Sequence, residues 1–216
     1  MLNNVWKALM QFLYPPRCPG CRTAVPEHGQ WCQACFASIW QPRLLAGSRE
    51  RGLQGCYCLA DYRGPMRHVL QGIKFNKALK YDAACQYLLE RFPWRDQLEP
   101  VHLVVPVPLS AQRLAQRGYN QAEVIFRPWS EAYWPWGDVL YRSRPTKPQW
   151  GLNREERQRN IKRAFQVGDS FRIQGKHILL VDDIYTTGAT MKECAQTLHK
   201  SGAASVTGLV VASGGL

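Results

Sequence analysis

The chain has 216 residues, of which 45% are hydrophobic, and it contains eight tryptophans. This apolar content is enough for a buried core, so it excludes a chain that is disordered throughout. The formal net charge of +12 favours polyanionic partners such as nucleic acid, anionic lipid or phosphorylated small molecules. A basic surface without a specific partner is the alternative.

The N-terminal segment predicts an amphipathic helix and no secretory leader. Its apolar residues recur at helical spacing and form one stripe: Leu2, Val5, Trp6, Leu9, Met10 and Leu13. We expect this stripe to pack on the body of the protein, with a membrane surface or a partner as the alternative. The segment lacks a basic start and a small-residue cleavage site, and no apolar run approaches the ~18 residues of a membrane-spanning helix. We therefore expect a cytoplasmic protein without a transmembrane segment, and peripheral contact with the inner face of the cytoplasmic membrane stays open.

Two CxxC pairs with ten residues between them follow, formed by Cys18 and Cys21 and by Cys32 and Cys35. Two such pairs can complete a closed tetrahedral zinc site. Without metal, about 18 residues with few large apolar side chains could not offset their own ordering entropy. Disulfides or a redox pair are alternatives that a reducing cytosol and two matched pairs disfavour. The pattern predicts structural zinc in an N-terminal module, residues 1–50, followed by a second domain, residues 51–216.

The other four cysteines have a different setting. Cys56 and Cys58 alternate along a predicted strand, so both side chains face the same side of it. We interpret them as buried thiols, with a second metal or a redox pair as the alternative. Cys85 and Cys194 fall on helical patterns and are predicted core residues.

From residue 55 onward, predicted strands and helices alternate. Strands are predicted in GCYCLADY, at 101–108, in GDVLYRS, in HILLVDD and in ASVTGLVVA. Helices are predicted in PMRHVLQGIKF, in KALKYDAACQYLLERF, around 110–127 with an interruption at Gly118 and an end at Pro128, in NREERQRNIKRAF and at 190–201. Alternation of this kind, with strands that are apolar on both faces, predicts an α/β fold with a mainly parallel sheet and helices on both faces.

A basic segment lies at residues 142–163, where eight basic residues face two acidic ones. This density favours a role in phosphate binding, whereas a solvated charged surface is the alternative. Trp150 lies within the segment and could stack on a base, as aromatic residues of single-strand binding proteins do.

The stretch HILLVDDIYTTGAT, residues 177–190, combines a buried strand with two carboxylates and a turn rich in hydroxyls. In a parallel sheet, ligands bind beyond the carboxyl ends of the strands, where Asp182 and Asp183 lie. The turn of residues 186–190 can direct amides and hydroxyls at one anion, and the next helix adds its positive N-terminal end. This arrangement suits a sugar phosphate, with the carboxylates on ribose hydroxyls. The aspartates could alternatively hold a metal or cap the loop.

The same stretch resembles the PRPP (phosphoribosyl pyrophosphate) motif of type I phosphoribosyltransferases. The resemblance implies that Asp182 and Asp183 contact the 2′- and 3′-hydroxyls of the ribose, and that magnesium accompanies PRPP. It also implies that the loop binds the 5′-phosphate through Thr186, Thr187, Gly188, Ala189 and Thr190.

A narrower resemblance covers nearly the whole chain. It is carried by FLYPPRCPGC, the paired CxxC motifs, YRGPMRHVLQGIKF, VVPVPLSAQRLAQRGYNQAE and a spaced pattern through Arg144, Thr146, Gln149, Leu152, Arg157, Asn160, Ala164 and Phe165. These segments resemble the ComF family, whose members join a zinc-finger module to a type I phosphoribosyltransferase-like domain. Family members are implicated in DNA uptake during bacterial natural competence. The resemblance implies single-stranded DNA as a ligand and other competence or DNA-uptake proteins as further partners.

The ComF resemblance also assigns cationic residues to ligands. Arg113 and Arg117 lie where type I enzymes hold pyrophosphate, although the turn at 106–110 is rich in Pro and Leu and lacks the usual glycine-containing segment. The basic segment corresponds to a mobile loop that closes over substrate. Its expected DNA or mobile-loop contacts are Arg144, Lys147, Trp150, Arg154, Arg157, Arg159, Lys162 and Arg163.

Three functions are compatible with these features. The favoured one is a competence protein that binds single-stranded DNA and PRPP. The alternatives are an active PRPP-dependent phosphoribosyltransferase of unknown acceptor and a PRPP-sensing regulator without turnover.

Overall fold

A five-stranded sheet with helices on both faces forms the body of the protein. A computed structural model describes residues 13–46, 48–49, 52–75, 81–98, 100–144, 146, 153–170 and 172–214, with Arg154 and Arg157 described by their backbone only. The helices are α1 (Gln33–Ile39), α2 (Gly64–Phe75), α3 (Asp82–Leu89), α4 (Ala111–Arg117), α5 (Gln121–Ser130), α6 (Arg154–Ile161) and α7 (Ala189–Lys200), with a short 3-10 helix at Arg95–Gln97. The strands are β1 (Trp40–Leu44), β2 (Cys56–Asp61), β3 (Leu103–Pro106), β4 (Leu140–Arg142), β5 (Phe165–Val167), β6 (His177–Tyr185) and β7 (Ser205–Ser213).

The predicted parallel sheet is confirmed. The strand order is β1-β2-β7-β6-β3, and the four strands from β2 to β3 are mutually parallel. β1 is antiparallel to β2 at one edge, and β4 pairs with β5 in a separate antiparallel ribbon. β6 and β7 lie in the middle of the sheet and are buried along most of their length, because helices cover both faces.

Two apolar layers flank the sheet. α2 buries Met66, Val69, Leu70 and Ile73 at helical spacing, and together with α3 and α5 it covers one face. The other face is covered by α7, which buries Met191, Cys194 and Leu198 among other residues, and by the β4–β5 ribbon. Both faces of the sheet therefore pack against helices, which leaves the ends of the strands as the places where a ligand can reach it.

Three predicted helix ends are wrong, and one of them is the end of α3, which lies at Leu89 rather than at Phe92. Gly118, with φ 87°, separates α4 from α5 as predicted, but α5 continues through Pro128 to Ser130. Proline has a helical φ and lacks only its N–H, so near a C-terminus it removes one hydrogen bond without ending the helix. The predicted capping box of α6 is present, with Asn153 and Glu156 accepting each other's backbone N–H. The helix ends at Ile161 rather than at Phe165, because the chain turns at Arg163, whose φ is 55°.

The cysteine-containing module docks on the helical layer of α2 and α3. Trp31 is buried, and its Nε1 donates a hydrogen bond to the carbonyl of Ala84 at 2.9 Å. Gly29 has a φ of 85° and lies so close to α3 that a Cβ there would be 2.6 Å from the Cβ of Ala83. β1 then carries the chain into the main sheet. The division into residues 1–50 and 51–216 stays a prediction.

Within the described ranges, no helix has both the length and the apolar character needed to cross a bilayer. The predicted N-terminal stripe falls on residues 1–12, outside the described residues, except for Leu13, whose side chain is exposed.

Candidate functional site

The four cysteines predicted to bind zinc lie together. The Sγ atoms of Cys18, Cys21, Cys32 and Cys35 are all within 4.8 Å of one another, and the four residues are free of disulfides. Tetrahedral Zn–S bonds of about 2.3 Å separate neighbouring sulfurs by roughly 3.8 Å, so the group fits one zinc ion after a small contraction. Hydrogen bonding to Thr23 lowers the pKa of the Cys21 thiol to about 6, which favours the thiolate that zinc binds.

Cys56 and Cys58 are fully buried on the same face of β2, as predicted. Burial raises the pKa of both thiols, that of Cys58 to about 11, so the neutral form is favoured. In the described part of the chain, the four-cysteine group is the cluster whose ligand atoms could hold a metal. Cys85 and Cys194 lie in the two core layers, which confirms their prediction as core residues.

A cavity of about 650 Å³ opens at the carboxyl ends of β3 and β6. Its floor is the predicted ligand loop that joins β6 to α7. The turn after β3 and the helix α4 form one wall, and the end of α2 forms another. Arg142, the last residue of β4, closes the remaining side. This is the position in which parallel α/β sheets bind ligands.

Asp182 and Asp183 both line the cavity, from opposite faces of β6. Oδ1 of Asp182 accepts the backbone N–H of Asp183 at 2.8 Å. Burial raises the pKa of Asp182, and the adjacent charge of Asp183 raises it further. Asp183 is buried, and its Oδ2 has no hydrogen-bond partner. A buried acceptor without a donor is costly, so this oxygen is suited to receive a hydroxyl or a cation from a ligand.

The loop of residues 186–190 has the backbone shape of an anion cradle. Gly188 has a φ of 73° and precedes the first turn of α7 without offering a capping side chain. A Cβ at this position would be 2.1 Å from Oη of Tyr185, so only glycine fits here. The loop therefore presents the N-terminal end of a twelve-residue helix to the cavity.

Three arginines line the cavity across from the aspartates: Arg113, Arg117 and Arg142. Nη1 of Arg117 and Nε of Arg142 are buried without a hydrogen-bond partner. Burial lowers the pKa of both guanidinium groups, whereas the negative charge of Asp183 raises the pKa of Arg117 and that of Asp182 raises the pKa of Arg142. Guanidinium groups keep their proton in proteins, so the unpartnered nitrogens are suited to bind a phosphate oxygen.

The unpartnered polar atoms are concentrated in this cavity. Among the described residues, four buried side-chain nitrogen or oxygen atoms lack a partner, and three of them belong to cavity residues: Arg117, Arg142 and Asp183. Native proteins leave few such atoms unsatisfied, and groups that bind a ligand are a common exception. The cavity thus offers one free acceptor and two free cationic donors.

Comparison with known proteins agrees with this geometry. The double zinc ribbon domain family matches residues 9–44, and the phosphoribosyl transferase domain family matches residues 146–215. The DNA utilization protein YhgH of Salmonella typhimurium is 31% identical over 199 residues, which cover 88% of this chain and 86% of that protein. The chain belongs to the ComF family.

Other relatives of this ComF protein have names that refer to competence. Competence protein F of Haemophilus influenzae is 29% identical over 87% of this chain and 80% of its own length. Competence protein ComFC of Bacillus subtilis is 28% identical over 88% of this chain and 75% of its own length. The solved structure of the allosteric regulatory enzyme of purine biosynthesis is 18% identical with a TM-score of 0.37, and the alignment covers 58% of this chain and a quarter of that one.

The cavity of the ComF protein also contains residues that sequence reasoning missed. The sequence marks Arg142 only as part of a basic segment, and it marks Tyr62, Gln71, Lys74 and Phe75 only as parts of a strand and a helix. These residues form no motif in the sequence, because they belong to three separate parts of the chain that meet only in the folded protein. The one available signal was the position of Phe75, which lies outside the apolar stripe of α2.

The structure describes the side chains of four of the eight predicted DNA or mobile-loop contacts. Arg159, Lys162 and Arg163 are exposed on α6 and the following turn, whereas Lys147 and Trp150 lie outside the described residues. Nη2 of Arg144 donates hydrogen bonds to the carbonyls of Asn160 at 3.0 Å and Lys162 at 2.6 Å, so this guanidinium holds the C-terminal end of α6. The side chains of Arg154 and Arg157 are not described.

A buried carboxylate also fixes this turn. Glu193 of α7 is 8% exposed, and its Oε1 accepts the backbone N–H of Arg163 at 2.6 Å. We expect Glu193→Ala to lower the free energy of unfolding by about 1.5–3 kcal/mol, because it removes a hydrogen bond to a charged group and leaves a polar group unpaired. Urea denaturation measures the change. The matched control is Glu131→Ala, whose exposed ion pair with Arg127 should contribute only about 0.3–0.5 kcal/mol. Equal effects of the two substitutions would contradict this role of Glu193.

Proposed function

We propose that this ComF protein binds PRPP in the cavity and single-stranded DNA on its basic surface, and that it acts on incoming DNA in natural competence. The observation that carries the proposal is the set of unpartnered buried atoms on Arg117, Arg142 and Asp183. A phosphorylated sugar supplies what each of them lacks, namely a hydroxyl donor for the carboxylate and phosphate oxygens for the guanidinium groups.

The proposed PRPP contacts follow the layout of the cavity. Asp182 and Asp183 accept the 2′- and 3′-hydroxyls of the ribose, and the loop of residues 186–190 binds the 5′-phosphate. The diphosphate faces Arg113 and Arg117 on the wall formed by α4 and Arg142 on the remaining side of the cavity. Magnesium accompanies PRPP, since carboxylate and phosphate oxygens are the hard ligands that suit it.

The ribose-and-phosphate side of the cavity is also what a phosphoribosyltransferase requires. An active transferase of unknown acceptor is therefore the second candidate, in which these contacts stabilise an oxocarbenium-like transition state. A PRPP-sensing regulator would use the same contacts without turnover. Release of pyrophosphate from PRPP with a panel of nucleobases separates the transferase from the other two.

The proposed DNA binding rests on the positive charge of the basic segment, residues 142–163. Residues 142–163 contain eight basic and two acidic residues, and part of this charge is exposed on α6. Single strands bind such segments through phosphates, and Trp150 adds base stacking. The proposal assigns the protein to the cytoplasm, including the inner face of its membrane, with other competence or DNA-uptake proteins as further partners.

A salt titration of single-strand affinity tests the DNA part of the proposal. We expect neutralisation of Arg154, Arg157, Arg159 and Lys162 to flatten the dependence of log affinity on log salt, by roughly 0.7 for each phosphate that the variant no longer neutralises. Trp150→Ala should instead cost about 1–3 kcal/mol of binding free energy and leave the slope almost unchanged.

The competing interpretation makes the basic segment a loop that closes over PRPP. The same charge variant would then lose PRPP affinity, measured by calorimetry with Mg²⁺, while its salt slope for DNA matched that of the wild type. Identical slopes would remove residues 142–163 from the DNA-binding surface. If DNA and PRPP share the surface, PRPP should compete with the strand.

A further inference from the structure

Phe75 lies at the mouth of the cavity with most of its ring in solvent. It is 68% exposed, the highest value among the large hydrophobic side chains that the structure describes as exposed. It is the last residue of α2, and the apolar residues that pack this helix into the core are Met66, Val69, Leu70 and Ile73. Folding of α2 therefore does not depend on the Phe75 ring, and an exposed ring beside a ligand cavity is available for binding.

Two cations lie near this ring. Nζ of Lys74 lies 5.8 Å from the ring centroid, and Cζ of Arg117 lies 6.0 Å from it. Both residues line the cavity, and within the described part of the chain neither has an acidic partner in a salt bridge. Arg117 also carries one of the buried nitrogens without a partner. An exposed aromatic ring with two cations close to it suits a base and its neighbouring phosphates.

The end of α2 is held in place. The hydroxyl of Tyr119, in the turn between α4 and α5, donates a hydrogen bond to the carbonyl of Ile73. This contact joins the last turn of α2 to the wall that carries Arg117, so the backbone positions of the two elements are fixed relative to each other. Less conformational entropy is lost on binding when the backbone that carries a ligand contact is already ordered.

A second exposed aromatic residue provides a comparison. Tyr133 is 46% exposed and has Arg95 over its ring, with Cζ 4.4 Å from the centroid. Arg95, however, is already paired with Asp96 at 2.8 Å and donates to the Tyr133 hydroxyl at 2.7 Å. Arg95 is therefore already ion-paired within the protein, whereas Lys74 and Arg117 form no salt bridge among the described residues.

We propose that Phe75 is a stacking surface for a base of single-stranded DNA, whose phosphates are bound by Lys74 and Arg117. The strand then crosses the mouth of the PRPP cavity and shares Arg117 with the diphosphate, so PRPP should compete with the strand. The inference rests on the proposed DNA binding and adds the place where a base contacts the protein. A single strand is the occupant that the charges favour, because two cations close to one exposed ring match a chain that carries a phosphate before and after each base.

The test compares strand affinities of Phe75→Ala, Phe75→Trp and the control Tyr133→Ala by fluorescence anisotropy, with a labelled oligothymidylate of about 20 nucleotides. We expect Phe75→Ala to weaken binding between about 5-fold and about 150-fold at an unchanged salt slope. Phe75→Trp should keep wild-type affinity or exceed it, and Tyr133→Ala should match the wild type. Because Phe75 is mostly exposed, both Phe75 variants should retain the wild-type thermal unfolding curve.

An abasic strand of the same length makes the test specific for stacking. The wild type should lose affinity for it, whereas Phe75→Ala should bind normal and abasic strands almost equally, as a double-mutant cycle requires. If the wild type binds the strand but Phe75→Ala binds it equally well, stacking at Phe75 is excluded while the DNA-binding proposal stands. If thymidine monophosphate competes through Phe75 and the strand does not depend on it, the ring serves a free nucleotide and the inference is wrong. If the wild type does not bind the strand, the proposed function itself fails.

Discussion

Replacing Asp182 and Asp183 together with asparagine is expected to weaken PRPP binding by at least about 100-fold and to leave the fold intact. Each hydrogen bond to a charged group contributes about 1.5–3 kcal/mol, and the double substitution removes the charge from two acceptors at once. Both residues are near the open end of β6, so the core packing of the strand does not depend on them. Calorimetry with PRPP and Mg²⁺ measures the loss, and circular dichroism confirms the fold.

The single variant Asp182→Asn should change PRPP affinity and folding stability in opposite directions. The folded-state pKa of Asp182 is raised by burial, whereas an unfolded aspartate has a pKa of about 3.9. The protonated carboxyl therefore stabilises the fold at low pH, and this contribution is lost as the pH rises from about 3.9 through the raised pKa. Asparagine cannot ionise, so the variant should be more stable than the wild type at neutral pH and should bind PRPP less tightly. An unchanged binding isotherm for the double variant would mean that ribose is held elsewhere.

Replacing Cys18 or Cys32 with serine is expected to abolish stoichiometric zinc and to unfold residues 18–35. Three thiolates leave a closed site open, and zinc provides about 10–16 kcal/mol of apparent folding free energy in zinc-finger peptides. Trp31 reports the change directly, because its buried indole, hydrogen-bonded to Ala84, should become exposed to water. Metal analysis of the pure protein and a red shift of tryptophan fluorescence are the two measurements.

The matched control for this prediction is Cys56→Ala. Cys56 is fully buried on β2, apart from the four-cysteine group, so its substitution should leave one zinc ion per chain. Loss of zinc in this variant would show that metal content follows global stability rather than the four proposed ligands. Wild-type protein that contained no zinc and had its four N-terminal thiols paired as disulfides would overturn the zinc assignment.

The spacing of residues in the sequence was sufficient to predict those features whose residues are neighbours in the chain. The first CxxC pair is closed by a short turn, and the second is closed by the start of α1, for which Cys32 is the N-cap and which contains Cys35. The loop after β6 was predictable for the same reason, since strand, carboxylates and glycine turn are consecutive. The alternation of apolar strands and amphipathic helices determined the parallel sheet, because only burial on both faces accommodates such strands.

The composition of the cavity was decided by the tertiary structure. Arg117, Arg142 and Phe75 come from α4, β4 and α2, and no periodicity or motif connects them. Which polar atoms remain without a partner depends on how these elements pack, so the free donors on Arg117 and Arg142 could not be read from the sequence. Even Asp182 and Asp183, adjacent in the chain, have different environments, because consecutive residues of a strand point to opposite faces and meet different elements there.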